Sequence, residues 1–487
     1  MPGKTGGSEL REARSTKHKE RDSLNNEKRG LYMTKKSRIW SVLILIAVML
    51  VVTACGGNNG AKQPSNANTP ADTTAANEGN KEKDPAAEPK QDPVTLKFMQ
   101  YTASGSQEET LDAMVKAFEA ANPAIKVNVE VVDYANYYTK LNTQIASGDG
   151  PDVFEVGYEN FASYAAKNTL KDLTSVIAAD TSFKPESFQG LAYDAFNYGG
   201  KQYGVVESFS AVVLYYNKDL FDKYQVEYPT ADWTWKEELA AAKKMTDPKN
   251  GVWGTYAPIQ FYEFYKTIAQ NGGGIWTADN KPNVNSKENI EALNWMLGKA
   301  SKEKVSPPLN DDTFSQPDAD LNAFMAGKLA MLRAGTWNFG RFAEAPFKWD
   351  IALEPGNTQK AHHFFADGLV VAGTTKNEEA AWKFIKFMSS DPAAVSLRIE
   401  KGWSTPAVSD DAVMQAYYDQ KPPESKKIML EALDSLVLPP VGPIPDQWGD
   451  LQKAIGDELE KAKLKPDYTA EQALNAAQKN VEKLLGK

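Results

Sequence analysis

The chain has 487 residues, 42% hydrophobic and 10% aromatic, which is too long for one core and suits two domains of ordinary size, yet too polar for a polytopic membrane protein. Its net charge of −9 conceals an asymmetry: residues 1–54 hold 11 Lys+Arg against 5 Asp+Glu, while the remainder, 44 against 59, carries −15. So acidic a body repels nucleic acid and anionic headgroups, and three histidines with a single cysteine, Cys55, leave little material for a zinc site, a Cys/His nucleophile or a disulfide.

The N-terminal region carries an address. Lys35, Lys36 and Arg38 precede an uncharged, mostly apolar run from Ile39 to Val52, followed by Thr53, Ala54, Cys55 and two glycines. These 14 apolar-run residues fall short of the about 20 that a spanning helix needs and suit the apolar core of a secretion signal. The order Val52-Thr53-Ala54-Cys55 resembles the lipobox of bacterial lipoproteins, an apolar residue and two small ones before a cysteine that becomes acylated. That resemblance implies a lipid on Cys55 and a place on the outer face of the cell membrane, with a Gram-positive host expected. Residues 1–32 have no apolar period, so Met33 is the expected start within a leader region 1–54; a start at Met1 only lengthens the leader. Residues 55–92, rich in Ala, Asn, Pro, Thr, Glu and Lys, cannot offset their ordering entropy by burial and read as a disordered tether.

The body alternates strands and helices. Val94, Leu96 and Phe98 alternate with Thr95, Lys97 and Met99, a strand; Leu111, Met114, Val115 and Phe118 form one helical stripe; Val127, Val129 and Val131 alternate again. This strand-helix-strand unit predicts an α/β sheet with a right-handed crossover. A helix over Tyr137–Ser147 runs into Gly148-Asp149-Gly150-Pro151, a stop, before a strand at Val153. Further on, the spacing predicts a strand at Val212–Tyr216, helices at Trp235–Met245 and Ser286–Lys302, a helix-strand pair over Leu321–Arg333, a strand Leu369–Ala372, and helices Glu378–Ser389 and Glu471–Leu485.

Six segments carry a resemblance in order: Phe118-Glu119 with Asn122-Pro123, Ile145 to Val153, Tyr203 to Glu207, Tyr216 to Phe221, Phe324 to Met331 with Gly335-Thr336-Trp337, and Ala381 to Met388. Together they resemble the extracellular solute-binding proteins of ATP-binding-cassette (ABC) sugar importers, the family that includes maltose-binding protein; Val206 departs, standing where many relatives carry Pro. The resemblance implies a periplasmic-binding-protein-like class II fold: two discontinuous α/β lobes, residues 93–207 plus 356–405 and 208–355 plus 406–487. The lobes are joined by crossings near Glu207–Ser210, Leu353–Gly356 and Ser404–Ala407. It further implies a sugar ligand, mono- or oligosaccharide, held in the cleft, hinge closure on ligand, a permease partner, and a monomer.

A sugar needs aromatic plates for its C–H faces and carboxylates or amides at its rim. By resemblance Trp337 faces the cleft, with packing under its loop as the alternative; Tyr262 and Trp448 match sugar-contacting aromatics; and Trp403, beside a crossing, either lines the cleft or locks the hinge. Glu207, at a buried strand end, needs a partner, whether a ligand hydroxyl, a backbone amide or a hinge arginine. Glu159 aligns with a hydroxyl-binding acid, and Asp367-Gly368 is similar. The loop holding Ser104 offers amide and hydroxyl donors, or simply a serine helix cap. No cofactor or catalytic residue is expected: adjacent His362 and His363 point apart on a strand, no Ca²⁺-loop spacing occurs, and neither a nucleotide loop nor a Gly-x-Ser-x-Gly elbow is found. The competing expectations are a non-sugar solute in the same fold, a sensor subunit, and a surface-anchored glycan-degrading enzyme.

Overall fold

The computed structural model describes residues 93–486; the leader, Cys55 and the tether lie outside the described residues. The principal elements begin with β1 (Val94–Gln100), α1 (Glu108–Ala121), β2 (Ile125–Val131), α2 (Tyr134–Ser147), β3 (Val153–Gly157), α3 (Tyr158–Ala166), β4 (Gly204–Ser210) and β5 (Val212–Asn217). They continue with α4 (Trp235–Met245), α5 (Phe261–Gln270), α6 (Lys287–Ser301), β6 (Met331–Gly335), β7 (Trp349–Ala352), β8 (His362–His363) and β9 (Phe365–Val371). The chain ends through α7 (Glu378–Ser390), α8 (Pro392–Glu400), β10 (Thr405–Pro406), β11 (Leu436–Val437), α9 (Trp448–Leu464) and α10 (Ala470–Leu484).

Two sheets organise these elements: a six-stranded one in the order β10-β4-β9-β3-β1-β2, and a three-stranded one in the order β6-β5-β7. In the larger, β1 pairs in parallel with β2 and β3, whereas β9 runs antiparallel to both β3 and β4. The chain passes from the larger sheet to the smaller through Ala211 alone and returns between Ala352 and Phe365. Two α/β lobes therefore interleave along the sequence.

Local chemistry sets the elements. The alternation of β1 holds to Phe98, after which Met99 and Gln100 are also fully buried, because helices cover both faces of the sheet. The α1 stripe packs inward, and Phe118 and Phe98 each meet Phe384 of α7 edge-on, at 5.0 and 4.9 Å, each buried ring contributing roughly 1.5–3 kcal/mol. Helix α4 starts behind a capping box between Thr234 and Glu237. Helix α2 begins at Tyr134, earlier than the apolar period predicts, because Asp133 caps it by accepting from the Asn136 N–H. Strand β9 likewise starts at Phe365 rather than Leu369: it lies between β3 and β4, so its backbone is paired on both edges through Asp367 and Gly368. A second core joins α5, α6, α9 and α10 around Phe264, Leu293, Leu451 and Leu474. Among the described residues no helix is long and apolar enough to cross a membrane.

Candidate ligand cleft

One wall grows from the carboxyl ends of β1 and β3. Tyr101 follows β1 directly, and its ring meets Tyr134 and Tyr137 of α2 edge-on, at 5.2 and 4.8 Å. Tyr137 belongs to the core, its hydroxyl donating to the carbonyl of Glu155 at 2.6 Å. Tyr134 is 47% exposed, and its hydroxyl donates to Glu159 Oε1 at 3.1 Å. Glu159 sits in the first turn of α3, 5% exposed, and also accepts from Asn160. Burial raises its pKa, against the pull of those two donors.

Behind this wall lie three further carboxylates. Glu155 accepts the Tyr101 and Thr102 backbone N–H groups at 2.8 and 3.0 Å and the Thr102 hydroxyl at 2.7 Å. Asp367 accepts from the Tyr101 hydroxyl at 2.5 Å. Glu207 is the extra residue of a β-bulge, since Asp367 pairs with Ser208 and Gly368 with Val206. Its Oε1 accepts from Gln100 and its Oε2 from Arg398, each at 2.8 Å. Burial pushes Asp367 up to about 7, with Glu159 and Glu207 adding repulsion; Glu155 is raised well above the ordinary range, by burial first and then by Glu207 and Asp367.

The facing wall comes from α5, α9 and the segments around β6 and β9. Tyr262 accepts a hydrogen bond from Gln452 of α9 at 2.7 Å. Trp448, at the start of α9, packs edge-on to Phe261 at 5.6 Å. Phe365 lies 5.9 Å from both Tyr262 and Trp337. Between the walls is a cavity of about 950 Å³, bordered by Tyr134, Tyr138 and Asn160 on one side and by Tyr262, Trp448 and Gln452 on the other.

The structure thus brings Tyr262 to the cavity, with Trp448, 1% exposed, packed into the wall beside it, Glu159 behind the Tyr134 hydroxyl, and Trp337 alongside, 49% exposed. Four candidates have other surroundings. Glu207 is 1% exposed, with Gln100 and Arg398 as its partners, so no ligand hydroxyl is needed to satisfy it. Trp403 is 4% exposed under the Arg398 guanidinium, 4.6 Å from its ring, and packs rather than facing the cleft. Gly368 is required by packing: a Cβ there would stand 2.5 Å from the Phe196 ring. Ser104 is half-buried and does not cap α1, whose N-cap is Gln107; its N–H bonds Tyr101 instead. Unanticipated cleft residues are Tyr134, Tyr138, Gln452 and Phe365. The Asp133 cap followed by Tyr-Ala-Asn-Tyr-Tyr was the available signal for the first two, both on one helix face. Among the described residues no three His, Cys, Asp or Glu side chains group to hold a metal ion.

Comparison with known proteins agrees with this architecture. Residues 104–395 match the family described as bacterial extracellular solute-binding protein. An ABC substrate-binding protein from Listeria monocytogenes, solved in complex with cycloalternan, is 47% identical, with a TM-score of 0.76 over 81% of this chain and 100% of that one. The maltotriose-binding protein of Pyrococcus abyssi is 25% identical over 345 residues, 66% of this chain and 69% of its own. The arabinooligosaccharide-binding protein of Bacillus subtilis is 25% identical over 300 residues, 59% of this chain and 67% of its own. A family match spanning more than half the sequence, together with a two-lobed fold that encloses a cavity, makes the chain a member of the bacterial extracellular solute-binding proteins.

Proposed function

We propose that this protein captures an oligosaccharide outside the cell and delivers it to the permease of an ABC importer. In this reading a lipid on Cys55 holds it at the membrane, residues 55–92 act as the tether, and the folded body works as a monomer without cofactor or turnover. The observation that carries the reading is the cavity of about 950 Å³ walled by Tyr134, Tyr138 and Tyr262 and edged by Asn160, Asp450 and Gln452. Apolar ring faces suit the C–H patches of a sugar, while amides and a carboxylate suit its hydroxyls. The 47% identity to a cycloalternan-bound protein and the maltotriose- and arabinooligosaccharide-binding relatives support an oligosaccharide. The lobes are assigned to about 93–207 plus 356–405 and 208–355 plus 406–487, with β4 running on to Ser210 before the first crossing, and ligand contacts to both walls favour the closed arrangement.

The test is a thermal-shift panel of cycloalternan, maltotriose and arabino-oligosaccharides, followed by recovery of the sugar. A ligand at 100 times its Kd adds about 2.7 kcal/mol of stability, so a bound sugar raises Tm and is recovered unchanged. No shift with any saccharide sinks the carbohydrate reading; shortened sugar in the supernatant replaces capture with hydrolysis.

A further inference from the structure

The two adjacent histidines form β8, which pairs in parallel with β11, and both are buried, at 0 and 1% exposure. They differ in what they touch. The Nε2 of His363 lies 2.7 Å from the backbone carbonyl oxygen of Tyr262, in the first turn of α5. A carbonyl only accepts, so Nε2 carries the hydrogen. Burial lowers the imidazole pKa, with the Lys266 ammonium adding to it, which leaves the ring neutral and this tautomer fixed. The ring itself stacks on Phe365, centroids 5.2 Å apart and 26° from parallel, and takes Tyr265 edge-on at 5.2 Å. Phe365 in turn stands 5.9 Å from Tyr262 and from Trp337.

Helix α5 is therefore held at two levels. Deep in its lobe, Glu263 and Lys266 enter a buried ion cluster with Glu354 and Arg333. At the cleft, the His363 N–H ties the turn that carries Tyr262 to the segment leading from the smaller sheet into β9. We propose that His363 is a positioning residue of the sugar site: its Nε2–H holds Tyr262 to the wall that Phe365 and Trp337 complete. This rests on the carbohydrate reading for its ligand, and on the geometry alone for the tether.

Two full-length variants separate the tether from the ring. H363F keeps an aromatic ring against Phe365 and loses the donor; H363Q keeps an N–H at similar reach and loses the ring. Calorimetric titration with cycloalternan and maltotriose should show H363F weaker by about tenfold, the worth of one buried hydrogen bond, and H363Q closer to wild type. Hydrogen-deuterium exchange over 261–270, measured without sugar, should rise in H363F and return towards wild type in H363Q. Wild-type affinity with wild-type exchange in H363F overturns the proposal, as does a folded H363Q whose α5 loosens if H363F fails to fold. If wild type binds neither sugar, the ligand reading fails by itself, and exchange still decides the tether.

Discussion

Two buried charge clusters in this molecule hold three carboxylates each and differ in their cations. In the smaller-sheet lobe, Glu238, Glu263 and Glu354, all 5% exposed or less, meet Arg333, Lys266 and Lys299, at most 4% exposed. Arg333 grips Glu238 with both terminal nitrogens, at 2.8 and 2.6 Å, and reaches Glu354 at 3.0 Å, while Lys266 bridges Glu263 and Glu354. Near the crossing, Glu155, Glu207 and Asp367 lie together, and one cation, Arg398, pairs with Glu207 and acts on Asp367. The outcome follows the balance. Burial works against the charge on Glu238, yet Arg333 and Lys299 overcome it and hold it at about 2; Asp367, with too little cation, rises to about 7. Burial alone does not decide whether an acid ionises; the number of cations brought with it does.

Breaking the balanced cluster carries the largest expected effect. Arg333→Met leaves Glu238 buried beside Lys299 without its bidentate partner and should cost about 3–5 kcal/mol, read as a lower urea midpoint at unchanged slope. A loss below about 1 kcal/mol would mean that the remaining lysines already neutralise the three acids.

The unbalanced cluster sharpens the contrast through pH. Asp367 keeps its proton in the folded protein up to about 7, whereas the unfolded chain releases it near ~3.9. The folded state then binds the extra proton between those values, so its contribution is complete below about 4 and is lost as pH rises through about 7. Asp367→Asn should flatten that stretch of the Tm–pH curve; an unchanged slope would place the titration on Glu155 or Glu159 instead.

The smallest effect belongs to His362, which lies next to the balanced cluster and takes no part in it. Both of its ring nitrogens are buried without a partner among the described residues, and burial, with the Lys266 ammonium behind it, lowers it to about 3. His362→Leu should be neutral or stabilising by up to about 1 kcal/mol, in contrast to its neighbour His363; a clear drop in Tm would reveal a hydrogen bond to this ring.

Local pattern announced most of the scaffold, because strand alternation and helix caps are written in neighbouring residues. Trp235–Met245 is legible at both ends from Thr234, Glu237 and the apolar spacing. Helix α9 is not, although Leu451, Ile455 and Leu459 form a buried stripe, since its first residue looks like a loop tryptophan after Pro445. The cleft divides in the same way. Tyr262 and Trp448 came from resemblance, but what surrounds them is joined over long sequence separations: Gln452 and Tyr262 are 190 residues apart, and Arg398 and Glu207 are 191. A pair of that kind leaves no mark on local periodicity, so the choice among partners for Glu207 stayed open until the fold closed it.

The extra residue in β4 has a consequence of its own. Side chains along a strand alternate between faces, and one supernumerary residue resets that count. Were Glu207 paired as an ordinary strand residue, Ser208, Phe209 and Ser210 would face the opposite side just ahead of Ala211, the lone link to the smaller sheet. The frame of the second lobe is thus set, residue by residue, by a miscount of one in the first.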